Sequence, residues 1–123
     1  MLEQLQSRVN ANARLVHRGR FVETQFLIGI GEQDWLVRVH QGKIEGVVQG
    51  PFVMPRWCFA LRAPEAAWRE FWQPVPKPGF HDLLALVKFR VLHVEGDQHP
   101  FMANLFYFKG MMESLRLLSE DSV

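Results

Sequence analysis

From Phe21 to Gln49 the chain alternates apolar and polar residues in short runs separated by glycine-containing turns. A period of two sets one side of each run against a core and leaves the other wet, the mark of antiparallel strands with one buried face. In FVETQFLIGI the inward set is Val22, Thr24, Phe26, Ile28 and Ile30. In WLVRVH it is Trp35, Val37 and Val39, with Arg38 and His40 opposite. Gly31–Asp34 and Gln41–Gly42 read as hairpin turns, and KIEGVVQG as the third strand. RWCFALR continues the pattern, with Trp57, Phe59 and Leu61 on one face. The expectation is an antiparallel meander of four strands.

After Ala63 the period changes. In APEAAWREFWQ, Pro64 stands near a helix start, where its missing N–H costs little. Pro64, Trp68, Phe71 and Trp72 form an apolar stripe, and Glu65 and Arg69 pair at i and i+4 on the wet side. QPVPKPG is a stiff extended connector. FHDLLALV places Phe80, Leu83, Leu84 and Val87 at helical spacing, with His81-Asp82 as the start signal. KFRVLHVE reads as a fifth strand ended by Gly96-Asp97. At the other end, Leu2 to Val16 has loose helical spacing and a basic side of Arg8, Arg14, Arg18 and Arg20, read as a solvated face. Clustered strands with helices over one face make an α+β domain.

Pro100 to Leu118 reads as one closing helix. Tyr107, Leu118, Met111, Leu115, Phe108, Phe101, Met112 and Leu105 cover an arc of roughly 160°, where a core stripe needs only about 100°. Met102, Phe106 and Leu117 lie beyond that arc. Three uses of the surplus stand side by side: a core contact with two layers, the lining of a cavity for an apolar ligand, or a dimer face. Asn104, inside the arc, is expected to bond to backbone.

A chain of 123 residues suits one domain and can bury roughly 65% of its unfolded surface without staples. The net charge of +1 gives no reason to expect nucleic acid. Its one cysteine, Cys58, excludes an internal disulfide and agrees with a reducing compartment. No N-terminal apolar run marks a signal peptide, and no stretch approaches the ~18–20 apolar residues of a membrane-spanning helix.

Enzyme signatures are missing. Ser7, Ser114, Ser119 and Ser122 sit in no nucleophile elbow. Cys58 falls mid-strand between Trp57 and Phe59, an inert setting. His93, Glu95, Asp97 and His99 are close in sequence, but a turn separates them and no further ligand pair supports a metal. Gly29 to Gly31 lacks the third glycine and the following helix of a dinucleotide loop.

The succession of the VRVHQGKIEGVVQG hairpin, RWCFALRAP leading into EAAWREFW, the helix FHDLLALV, KFRVLHVEGD and an apolar last helix resembles the sterol carrier protein 2-like lipid-binding domains. The resemblance covers about residues 21–118, preceded by a helical segment over 1–20, and implies one domain. It implies a curved, mainly antiparallel five-stranded sheet covered on one face by helices, with an apolar ligand held between the layers. QPVPKPG departs from the small residues usual there, and the final SEDSV is no peroxisomal signal. The expected function is non-enzymatic binding or carriage of a fatty acid, acyl chain, phospholipid, isoprenoid or sterol-like lipid, without cofactor or metal. The expected setting is cytoplasmic, with at most transient membrane contact. The walls expected are Trp68, Phe71, Leu83, Leu84, Val87, Phe101, Leu105, Phe108 and Met112. The alternative is an accessory or scaffold protein, for example in quinone biosynthesis, docking a homodimer mate or protein partner through the last helix.

Overall fold

The computed structural model describes residues 2–53, 55–80 and 82–121, the last five by backbone alone. A 3-10 turn (Leu2–Gln4) leads into α1 (Leu5–Asn10) and α2 (Ala13–Arg18). Then come β1 (Glu23–Ile30), β2 (Gln33–His40), β3 (Lys43–Gln49) and β4 (Phe59–Ala63). They are followed by α3 (Glu65–Phe71), α4 (Leu83–Lys88), β5 (His93–Gly96), α5 (His99–Ala103) and α6 (Leu105–Asp121). The strands form one sheet in the order β3-β2-β1-β4-β5.

The first two hairpins follow the alternation. Phe26 faces Val37 and Ile28 faces Trp35 across β1 and β2. Gln41 (φ 51°) and Gly42 (φ 81°) make the second turn, both left-handed, as a two-residue connection matched to strand twist requires. A side chain at Gly42 would strike the Val16 carbonyl at 2.3 Å, so only glycine lets α2 pack there.

The meander ends at β3. β4 is not the next antiparallel neighbour but lies parallel to β1, with Leu27 opposite Ala60 and Ile28 opposite Leu61. The chain between β3 and β4 carries Pro51 and Pro55 and is too long for a tight hairpin, so it crosses the sheet instead. The Gln25 side-chain amide donates to the Arg56 carbonyl (2.6 Å), and the Cys58 N–H donates to the Gln25 carbonyl (2.7 Å). These bonds lead the chain into the parallel ladder. On the face away from the helices, Arg62 reaches Asp34 of β2 (3.0 Å) and Glu95 of β5 (2.8 Å), tying β4 to strands on both sides.

Three segments expected as regular pieces are divided. The opening helix breaks at Ala11 and Asn12, where the Asn12 side chain accepts from the Leu15 N–H (3.2 Å) and starts α2. Asn10 turns toward the sheet: its amide donates to the Ile44 carbonyl (2.9 Å) and accepts from the Ile44 N–H (2.8 Å). Those bonds fall where β3 slips register against β2.

The strand expected from Lys88 begins only at His93. Before it, the Leu86 carbonyl accepts from both Val91 (2.9 Å) and Leu92 (3.0 Å), and Arg90 takes a left-handed φ of 60°, so this stretch closes α4. Asp82 caps α4, accepting from the Leu84 N–H (3.0 Å); His81 lies outside the described residues.

The closing helix breaks at Asn104 (φ −122°, ψ 34°). Its side chain donates to the Pro100 carbonyl (3.0 Å), and its carbonyl accepts from Tyr107 (3.0 Å) and Phe108 (3.2 Å). The apolar spacing runs through the break unaltered, which is why the pattern reads as one helix. The side chains of Leu117 and Leu118 lie outside the described residues.

The helices cover the face bearing Phe26, Ile28, Trp35, Val37, Phe59 and Leu61, and one apolar cluster joins the two layers. Leu2, Leu5, Val9 and Leu15 of the N-terminal segment are buried in that same cluster.

Candidate functional site

The sequence-expected wall residues come from four helices. Trp68 and Phe71 of α3, Leu83 of α4, Phe101 of α5, and Phe108 and Met112 of α6 are all fully buried in the shared core. Val87 and Leu105 pack against it half-buried, while Leu84 is 38% exposed and turned outward. Between the sheet and α6 the space is filled by rings. Phe26 stacks on Phe59 (5.0 Å between centroids), and Phe108 meets both edge-on (5.4 and 5.2 Å). Phe101 closes the group against Phe59 (5.6 Å) and Phe108 (5.8 Å). Such edge-to-face and stacked contacts add about 0.5–1.5 kcal/mol each beyond burial.

Space opens beside this cluster, at the β1–β2 hairpin. A pocket of about 370 Å³ lies there, floored by Leu2, Ile30, Trp35 and Trp72. Its rim is polar, with Gln33, Gln49, Gln73, Glu3, Glu65 and Arg69. The volume falls within the range of small-molecule sites. The Trp72 ring joins pocket to core: it stacks on Trp68 at 5.3 Å, and its indole N–H donates to the Met112 carbonyl (3.0 Å). Trp68 in turn donates to the Gly29 carbonyl (2.9 Å).

Trp35 differs. It is only 7% exposed, yet its indole nitrogen has no partner among the described residues. A buried donor left unpaired costs about 1–3 kcal/mol. Arg69 is held by Glu65 one turn away on α3.

Sequence reading placed Trp35 on the inner face and Trp72 on the apolar stripe but put neither in the site. Their unpaired or bridging roles depend on packing between elements far apart in the chain. The polar rim carries no periodic signal at all.

A second, shallower pocket of about 580 Å³ sits at the α5–α6 break, lined by Arg18 and by Met102 to Tyr107, so it includes Leu105. Phe106 is 67% and Met102 51% exposed, and the Lys109 ammonium stands 5.5 Å above the Phe106 ring. Beneath them Tyr107 is buried and donates to the Gly42 carbonyl (2.6 Å). Burial pushes its phenol well above the ordinary tyrosine range.

Outside these two pockets the Thr24 hydroxyl is buried without a partner among the described residues, while other polar side chains serve the fold. Ser114 bonds the Gly110 carbonyl (2.9 Å), and Asp97 accepts from the His99 N–H (3.1 Å). Among the described residues no three of His, Cys, Asp or Glu gather as a metal site requires. Among them, too, no helix is long and apolar enough to cross a membrane.

No family model matches the chain, and no curated protein matches it. Solved structures do. A sterol carrier protein 2 superposes with a TM-score of 0.76 at 11% identity, over 91% of this chain and 90% of that one. A ubiquinone synthesis protein, UbiJ-SCP2, gives 0.61 at 12% identity, over 94% and 88%. Sterol carrier protein 2 from Yarrowia lipolytica, in its apo form, gives 0.58 at 8% identity, over 94% and 86%. The chain has the sterol carrier protein 2 fold.

Proposed function

We propose that this domain binds and carries an apolar small molecule between its sheet and its helices, without chemistry of its own. The observation that carries the reading is the hairpin pocket, whose floor runs through the Trp72–Trp68 stack into the apolar interior. In this reading the tail of a fatty acyl, isoprenoid or sterol-like molecule enters beside Trp72. The walls it meets are Leu2, Ile30, Trp35 and Trp72. Trp68, Phe71, Leu83, Phe101, Phe108 and Met112, with Val87, Leu105 and Leu84 at the margin, lie in the packed layer behind them and line a deeper path only where their side chains move apart to admit the tail. Ring and methionine side chains suit this role because they present large adaptable surface. The fold shared with sterol carrier proteins supports it. The reading sets the domain in the cytoplasm; a single cysteine agrees with a reducing compartment.

Native mass spectrometry of the protein purified without denaturation tests this. A stoichiometric apolar passenger is expected, and it should be missing from Ile30→Trp, which fills the hairpin pocket. Protein that emerges empty and takes up no apolar molecule afterwards would end the reading.

A second reading is an accessory protein that docks a partner through the C-terminal helical region, as in quinone biosynthesis. The exposed Phe106 and Met102 favour it, as does the likeness to UbiJ-SCP2. Phe106→Ser should then change association in sedimentation while leaving the passenger in place.

A further inference from the structure

We infer that the hairpin pocket selects a neutral hydrogen-bond acceptor, a carbonyl or ether oxygen carried on an apolar tail, and rejects carboxylate and phosphate heads. This rests on the lipid-binding reading and narrows it to a ligand class.

The indole N–H of Trp35 is buried and unpartnered, and Trp35 lines the pocket. An acceptor delivered by a ligand gives this donor the bond that Trp68 and Trp72 already have. The uncharged rim amides of Gln33 and Gln49 suit the same kind of head. The charges present are wrong for an anion. Glu3 and Glu65 bring two carboxylates to the lining, and Arg69, the one cation among the described lining residues, already holds Glu65. An anionic head entering there would give up its hydration and find the lining cation already engaged. A neutral oxygen avoids this penalty.

Nile red bound to the folded protein reports occupancy, and four competitors separate the terms: a decyl benzoquinone, methyl laurate, laurate and dodecane. The quinone and the ester should displace the dye at concentrations at least about tenfold below laurate. A preference between those two identifies the source of the carbonyl, ring or acyl. Trp35→Phe should weaken both carbonyl compounds about tenfold, equivalent to ~1.4 kcal/mol, and leave dodecane unchanged. Glu65→Gln, a surface change, releases Arg69 and should improve laurate several-fold without moving methyl laurate. Laurate competing as well as its ester in the unaltered protein, with Glu65→Gln changing neither, overturns the inference and leaves lipid binding standing. Failure of the dye and of every competitor to bind removes the lipid reading itself, and the inference with it.

Discussion

Trp68 and Trp35 are both buried tryptophans of one core, yet only Trp68 has a partner for its indole N–H. The two mark regions built to different standards. Around Trp68 and the Phe26–Phe59–Phe101–Phe108 group, side chains are fully buried, rings meet at favourable angles and each indole bonds to a carbonyl. Around Trp35 the layers part, the rim is polar and a donor is left over. Tight packing around Trp68 satisfies every indole there, while at Trp35 the fold leaves a buried donor without a bond.

The sharpest way to break this contrast is Phe108→Ala. It removes the ring that touches Phe26, Phe59, Phe101 and Tyr107. Chemical denaturation should show a loss of about 3–5 kcal/mol. A loss below ~1 kcal/mol would mean that the interior under α6 is not packed.

Next in size is a paired comparison. Trp68→Phe strands the Gly29 carbonyl, adding about 1–3 kcal/mol to the cost of lost volume. Trp35→Phe loses similar volume but deletes an unpaired donor, so it should cost clearly less. Equal costs would show that the Trp35 N–H is satisfied in solution, which dissolves the distinction.

A smaller effect appears at high pH. Tyr107 is the only tyrosine, and burial raises its phenol. Its contribution is therefore complete below the ordinary phenol pKa of about 10 and is lost as pH climbs above it, because the unfolded chain ionises first. Stability curves measured from neutral to strongly alkaline pH should fall more steeply for the native sequence than for Tyr107→Phe. Phenolate absorbance should appear only with unfolding. Ionisation in the folded protein near pH ~10 would place Tyr107 in water.

The smallest change is expected at the pocket rim. The Glu65–Arg69 pair is exposed, so Glu65→Gln should alter stability by no more than ~0.5 kcal/mol. A larger loss would make the rim part of the structural core and would spoil its use as a specificity variant.

Local signals made much of the fold legible. Alternation and turn residues specify β1 to β3, because hairpin pairing is decided by neighbours in sequence. The parallel seat of β4 beside β1 is a long-range choice, and nothing in RWCFALR states which strand it will join. Asn104 breaks a helix without resetting its apolar spacing, so its effect shows only in φ and ψ. In the site, Trp68, Phe71, Phe108 and Met112 were readable as inward-facing from periodicity alone. Leu84, expected on the inner stripe of α4, turns outward because Leu86, which lies between Leu84 and Val87 and outside the expected set, takes the buried place. Leu2, Trp35 and Gln49 meet at the pocket from separate elements, and no local pattern joins them.

Asn10 gives the sheet one more property. β3 is an edge strand, and an open edge is a template on which a neighbouring molecule can add a strand of its own. By giving Ile44 both a donor and an acceptor, the Asn10 amide imitates one residue of that missing neighbour and occupies its place. The last residue of α1 thus closes one position of the β3 edge, and Asn10→Ala would reopen it to strand pairing.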